Sequence, residues 1–199
     1  KRAKQKLGRS AVAISLFKRS GEITEWGCQW DGGGLQLYNA IVAAIGTRQL
    51  SGKFPYRVAE LLQPYLTEMS QLTKENQSLT AVDAFDREVD KIVLADFGTT
   101  LARQTQVKGD EKKELIATIS SKLETYLRHL AGRFAEENKK FEDRSSAGQV
   151  NPWERPKKPD FICGNLIGLS QTVAFAARNL DDVAPKSLTR ALEAATSSP

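Results

Sequence analysis

The stretches that decide the fold class are AVAISLF at residues 11–17 and ITEWGCQW at residues 23–30. Both are rich in strand-forming residues, and the first is apolar at nearly every position, as is typical of a strand buried on both faces. Between them, residues 19–22 supply a tight turn in which Gly21 can adopt a positive φ. The pattern therefore predicts a β-hairpin.

The second strand carries Trp26, Cys28 and Trp30 two residues apart, so that we expect them on one face. A two-stranded hairpin is only marginally stable alone in water. It must either pack against the helices that follow or form the edge of a sheet whose other strands lie upstream. The basic helix end predicted at residues 1–7 and the absence of an initiator Met favour the second interpretation.

Beyond the hairpin, apolar residues recur at helical spacing. We predict that Gly46 is the C-cap of the first helix, that Pro64 kinks or divides the second, and that Asp110 is the N-cap of the longest. Three prolines and a glycine between residues 143 and 160 predict a loop of about 18 residues. The predicted helices cover residues 35–46, 55–69, 80–106, 110–141, 160–179 and 185–195.

The expected fold class is therefore mainly α, a bundle of about five helices preceded by a β-hairpin that we expect to be the edge of a larger sheet. We divide the chain into a segment 1–45, with the hairpin and first helix, and a helical segment 46–199. Of the 199 residues, 29 are Lys or Arg and 24 are Asp or Glu, for a net charge of +5. The first segment has seven basic and three acidic residues, a surplus of four, so the overall charge is weak evidence for nucleic-acid binding.

Catalytic chemistry has little support in the sequence. His129 is the only histidine, and Cys28 and Cys163 are far apart and are best interpreted as reduced thiols. The glycine run at 31–34 lacks the Lys-Ser/Thr ending of a phosphate-binding loop and is interpreted as a turn. The acidic residues at 83–90 are interpreted as a solvated helix face, although they could hold Mg²⁺. We expect a non-catalytic chain without cofactor or metal.

Basic residues give a better functional signal. No acidic residue occurs between Asp31 and Glu60, while Arg48, Lys53 and Arg57 occur at intervals of four to five. Two aromatic residues at positions 54 and 56 are interleaved with them, which suits a nucleic-acid backbone with bases stacking nearby. The alternative is that these aromatics only anchor the start of the helix in the core.

A second basic patch is predicted in the long helix and the loop that follows it. Trp153 lies in that loop and is either a stacking platform or the anchor that holds the loop in place. Acidic residues are mixed into the region, so its local surplus of positive charge is small. The candidate phosphate-contacting residues are Arg128, Arg133, Lys139, Lys140, Lys157 and Lys158.

Residues 1–57 contain a series of motifs that resembles a known family. A basic helix end at 1–9 is followed by the apolar run 11–18, by KRSGE at 18–22, by Trp30 and by LSGKFPYR at 50–57. This order resembles the C-terminal part of CRISPR effector large subunits, the polymerase-like signature subunits of type III and type I-D systems. The resemblance implies that a palm-like domain ends in the hairpin and that residues 58–199 correspond to a helical domain similar to the small subunit.

The resemblance implies a non-catalytic role, because the family's histidine-aspartate nuclease and Gly-Gly-Asp-Asp cyclase motifs do not occur here. Its expected partners are the CRISPR backbone subunits, the large subunit, guide RNA, the target or non-target DNA strand and further copies of itself. The chain would lie in the cytoplasm of a prokaryote, without a membrane. The alternatives are part of an enzymatic palm domain, or a helical adaptor that binds only protein.

Overall fold

Two strands and five helices make up the part of the chain that the computed structural model describes, which is residues 10–17, 19, 21–74, 79–148, 150 and 155–182. This confirms the predicted fold class, a mainly helical chain preceded by a β-hairpin. The elements are β1 (Ala11–Phe17), β2 (Ile23–Gln29), α1 (Gly34–Gly46), α2 (Phe54–Lys74), α3 (Leu79–Gln104), α4 (Gly109–Ser146) and α5 (Lys158–Asp182).

The hairpin is antiparallel, with a register that runs from Ala11 opposite Gln29 to Phe17 opposite Ile23. The prediction that β1 is buried on both faces is wrong, because burial alternates along both strands and the described helices cover one face of the hairpin. The Phe17 side chain is 74% exposed. Trp30 is 53% exposed, since it follows the last strand residue and does not share the burial of the strand.

The inner face of the hairpin packs against the helices through Trp26 and Cys28, both buried. The Trp26 ring stacks on Tyr38 of α1 with centroids 5.6 Å apart, and its Nε1–H donates to the Tyr126 hydroxyl of α4 at 3.3 Å. The hairpin therefore packs on the helices, as the first interpretation required. The described sheet has two strands; the predicted helix end at 1–7 lies outside the described residues.

The glycine run after the hairpin is a turn, as predicted, and it is also a point of close packing. Gly33 has a φ of 79° and precedes the first helical residue of α1. A Cβ atom on Gly32 would lie 2.6 Å from the His129 ring, and one on Gly34 would lie 2.8 Å from the Tyr126 ring. The absence of side chains here therefore allows α4 to approach the hairpin.

Three predicted helix ends differ from the observed ones. Gly46 is the last residue of α1 and not its cap; Thr47 takes that place, and Arg48 adopts the positive φ of 59°. Lys108, in an extended conformation, precedes α4, so Asp110 lies in the first turn, where a carboxylate also favours the helix dipole. Pro64 lies inside α2 without dividing it, because a long helix can lose one backbone hydrogen bond.

The connection between α4 and α5 is shorter than predicted. Helix α4 continues to Ser146 and α5 begins at Lys158, so only residues 147–157 separate them. Pro159 did not end the loop but lies in the first turn of α5, where its fixed φ fits and its missing N–H is not needed. Trp153 and the helix predicted at 185–195 lie outside the described residues.

One hydrophobic cluster joins the hairpin and all five helices. It includes Trp26 of β2, Ile41 of α1, Phe97 of α3 and Leu166 of α5. Burial of such side chains stabilises the fold by about 1.5–3 kcal/mol each. The domain boundary predicted after residue 45 falls in the last turn of α1, and both segments contribute to this cluster.

Candidate nucleic-acid interface

The first predicted patch lies on the loop between α1 and α2 and on the first turn of α2. Arg48, Lys53 and Arg57 are all exposed. The loop that carries them is held by Leu50, which is buried and pairs with Thr105 at the end of α3. The three cations therefore project from a loop with a fixed backbone.

The aromatic residues of this patch have different roles. Phe54 is buried and packs edge-on against Phe97, with ring centroids 5.2 Å apart. It anchors the start of α2, which confirms the core interpretation for this residue and excludes it as an exposed stacking platform. Tyr56 is 38% exposed and remains accessible to a ligand.

The electrostatics of the first patch favour an anion. The Arg57 guanidinium contacts Glu60 at 2.7 Å, but both side chains are more than half exposed, and such a pair contributes only about 0–1 kcal/mol. Among the described residues, no carboxylate pairs with the side chain of Arg48 or Lys53. The first turn of α2 contains no acidic residue.

One further cation, which the sequence pattern did not indicate, lies beside this patch. Arg103, in the last turn of α3, lines a shallow groove of about 400 Å³ together with Arg57 and Glu60. Arg103 is far from Arg57 in the sequence, and only the packing of α2 on α3 brings the two residues to the same groove. On the other side of the loop, the Gln49 amide donates to Glu111 at 3.0 Å, so the first turn of α4 brings acidic groups to this edge.

The second predicted patch is more dispersed than the first. Arg128 and Lys139 lie about three turns apart on one face of α4, and Arg133 and Lys140 lie on another. The Lys140 ammonium group contacts Glu137 at 2.9 Å. Glu111 and Lys140 are about 43 Å apart along the α4 axis, at a rise of about 1.5 Å per residue. The second patch therefore extends from the middle of α4 towards its C-terminal end, away from the first patch, which lies near the first turn of α4.

The two lysines at the start of α5 are half-buried. The Lys158 ammonium group contacts the Asp90 carboxylate of α3 at 2.7 Å, and its side chain is only 17% exposed. This contact ties α5 to α3, and a phosphate contact by Lys158 would require the pair to separate. In the acidic cluster at 83–90, the side chains of Asp83 and Asp86 lie outside the described residues, while Glu88 and Asp90 each contact a lysine.

Replacing Lys158 with alanine should lower the free energy of unfolding by about 1–3 kcal/mol, because Asp90 would keep a partly buried carboxylate without its cation. Urea unfolding monitored by circular dichroism measures the difference. The matched control is Lys139→Ala, at an exposed position of α4, which should change the free energy by less than about 0.5 kcal/mol. Equal values for both variants would contradict a structural role for the pair.

The remaining reactive side chains are embedded in the core. Burial raises the pKa of Cys28 to about 11 and that of Cys163 to about 12, so both remain uncharged thiols at neutral pH. The His129 Nε2 is buried beside Gly32, with no hydrogen-bond partner among the described residues. In the same part of the chain, no three His, Cys, Asp or Glu residues are grouped so that they could hold a metal ion.

No family model, no curated protein and no solved structure matches this chain. Among the described residues, no helix has the length and apolar character needed to cross a membrane. The function is therefore argued from the chain's own residues.

Proposed function

We propose that this chain is a non-catalytic part of a CRISPR RNA-guided interference complex that binds nucleic acid through phosphate contacts. The observation that carries the proposal is the first patch: Arg48, Lys53 and Arg57 are exposed on a fixed loop and helix start without an acidic residue in that first turn. Cations held on a fixed backbone lose less conformational freedom when they bind phosphate than cations on a mobile tail.

Binding of this kind is independent of base sequence. Lys and Arg neutralise phosphates and release counterions, so the affinity falls steeply as salt is added. Phosphate contacts orient the strand, while sequence recognition in RNA-guided complexes comes from base pairing with the guide. The chain would contact the guide–target duplex or the displaced strand in this way.

The assignment to a CRISPR complex rests on the resemblance carried by residues 1–57. In this proposal the helices pack along the repeated backbone subunits of the complex, and the cations face the nucleic acid. Co-purification with CRISPR backbone subunits and guide RNA tests this part of the proposal. We expect this chain to co-elute with the assembled complex; failure to do so would contradict the assignment.

Charge reversal tests the patch. The double variant Lys53→Glu, Arg57→Glu should weaken binding to two unrelated single-stranded oligonucleotides equally, and it should reduce the slope of log K against log salt by about two. Fluorescence anisotropy at several salt concentrations measures both quantities. Adding Arg48→Glu should reduce affinity and slope further.

The control is the double variant Lys91→Glu, Lys122→Glu. It makes the same change in net charge as the test variant. It also removes one exposed ion pair, Lys91 with Glu88 at 2.8 Å, just as the test variant removes the pair between Arg57 and Glu60. We expect it to retain most of the affinity. An equal loss in both variants would mean that only net charge matters. No binding at low salt would favour the protein-binding adaptor.

A further inference from the structure

A second concave surface lies between β1, the start of α2 and the outer face of α5. It is a groove of about 520 Å³, and it contains none of the cations assigned to either basic patch. Three aromatic rings line it, from Phe17, Tyr56 and Phe175. These are three of the five large hydrophobic side chains that are exposed in the described part of the chain. Exposed aromatic residues grouped in one concavity indicate a binding surface.

Among the described residues that line this groove, the charged side chains are those of Arg19 and Arg178, and both are basic. The Arg178 guanidinium is held in place, because its Nε–H donates to the Tyr56 hydroxyl at 2.5 Å and its carbon lies 5.3 Å from the centre of the Tyr56 ring. This hydrogen bond uses only the Nε–H of the guanidinium, which has four further N–H groups that can donate to an anion.

The groove and the first patch meet at the first turn of α2. Tyr56 lines the groove, and the neighbouring residue Arg57 belongs to the patch, so the two surfaces lie about 100° apart around one helix. A strand whose phosphates follow the patch can therefore reach the groove with its bases. This arrangement, cations along a backbone path with aromatic rings beside it, is typical of proteins that bind single strands without sequence preference.

We propose that this groove binds unstacked bases of single-stranded nucleic acid, with the rings of Phe17 and Phe175 as stacking surfaces and Arg19 and Arg178 as phosphate contacts. The inference rests on the proposed function and narrows it to single strands, because a duplex keeps its base faces inside the helical stack. An acidic peptide with aromatic residues is the competing occupant. Flat bases are favoured over a peptide because three aromatic rings line the groove beside the path of cations on the first patch, and each base offers a face that can stack on such a ring.

The test compares ligands that differ only in their bases. The unmodified protein is titrated with a ten-nucleotide oligothymidine, with an abasic strand that has the same number of phosphates, and with a duplex of the same length. We expect the abasic strand and the duplex to bind on the order of tenfold more weakly than oligothymidine, because stacking on aromatic side chains is lost. Equal affinities for oligothymidine and the abasic strand would overturn the inference without any variant.

The variants Phe17→Ala and Phe175→Ala test whether the bases stack in this groove. Each should weaken oligothymidine binding on the order of tenfold and leave binding of the abasic strand unchanged. The matched control is Trp30→Ala, an exposed aromatic residue outside the groove, which should have no effect on either ligand. Both phenylalanine side chains are exposed, and unchanged circular dichroism spectra would show that the variants fold.

The outcomes separate this inference from the proposed function. If Lys53→Glu, Arg57→Glu abolishes binding while Phe17→Ala and Phe175→Ala do not alter it, the groove inference is wrong and the proposed function stands. If no oligonucleotide binds at all, both are wrong. If an acidic aromatic peptide binds in a Phe17-dependent manner and oligothymidine does not compete, the groove binds protein and the inference is overturned.

Discussion

Replacing Gly34 with alanine should lower the free energy of unfolding by about 3 kcal/mol, at the upper end of the cost of overpacking. A Cβ atom at this position would lie 2.8 Å from both the Cys28 Cβ and the Tyr126 ring. Neither neighbour can move easily: Cys28 belongs to a strand, and the Tyr126 side chain is buried and bonded to Trp26. The added methyl group would therefore separate the hairpin from α4. Urea unfolding measures the change.

The control for this experiment is Gly132→Ala in α4. A Cβ atom on Gly132 would meet no atom within 4 Å, and alanine is favoured over glycine in an exposed helix interior by about 1 kcal/mol. The control should therefore increase stability while Gly34→Ala lowers it. A neutral result for Gly34→Ala would mean that the hairpin and α4 are not in close contact.

Replacing Phe54 with alanine should lower the free energy of unfolding by about 3–5 kcal/mol, because the change leaves a cavity against Phe97 in the core. Phe54 also fixes the start of α2, so the loss of its ring should weaken oligonucleotide binding by the neighbouring Lys53 and Arg57. Chemical denaturation and anisotropy measure the two effects.

The comparison variant is Phe17→Ala, which removes the same ring from a side chain that is 74% exposed. Its free energy of unfolding should change by less than about 0.5 kcal/mol. The two variants together distinguish an aromatic residue that stabilises the fold from one that is available to a ligand. A large loss of stability in Phe17→Ala would contradict the exposed position of β1.

Local sequence patterns were sufficient for the hairpin and for the central parts of the helices. The alternation around Trp26 and the helical spacing that begins near Leu35 each reflect a repeat within a few residues of the chain. Helix ends were less predictable. At Gly46 and Asp110 the usual capping residues were present, but the capping positions are Thr47 and Lys108, one and two residues away.

The candidate site, like the fold, was predictable from the sequence only in part. The exposed positions of Arg48, Lys53 and Arg57 agree with the predicted patch, although their binding role stays a prediction. The pairing of Lys158 with Asp90 and the proximity of Arg103 to Arg57 were not visible in sequence, because each joins residues from different helices. Phe54 and Tyr56 had the same sequence environment, and only the packing of α2 on α3 and α5 decided which ring was buried.

The hairpin and the order of the elements were determined by the sequence itself, because hydrogen bonding within each strand pair or helix depends on nearby residues. The exposure of one face of β1 was decided only by the tertiary structure. An apolar run such as 11–17 indicates a strand, but whether one or both faces of that strand are buried depends on which helices pack against it. Here α5 packs against β2, while Phe17 at the end of β1 stays largely exposed and lines the groove with residues of α2 and α5.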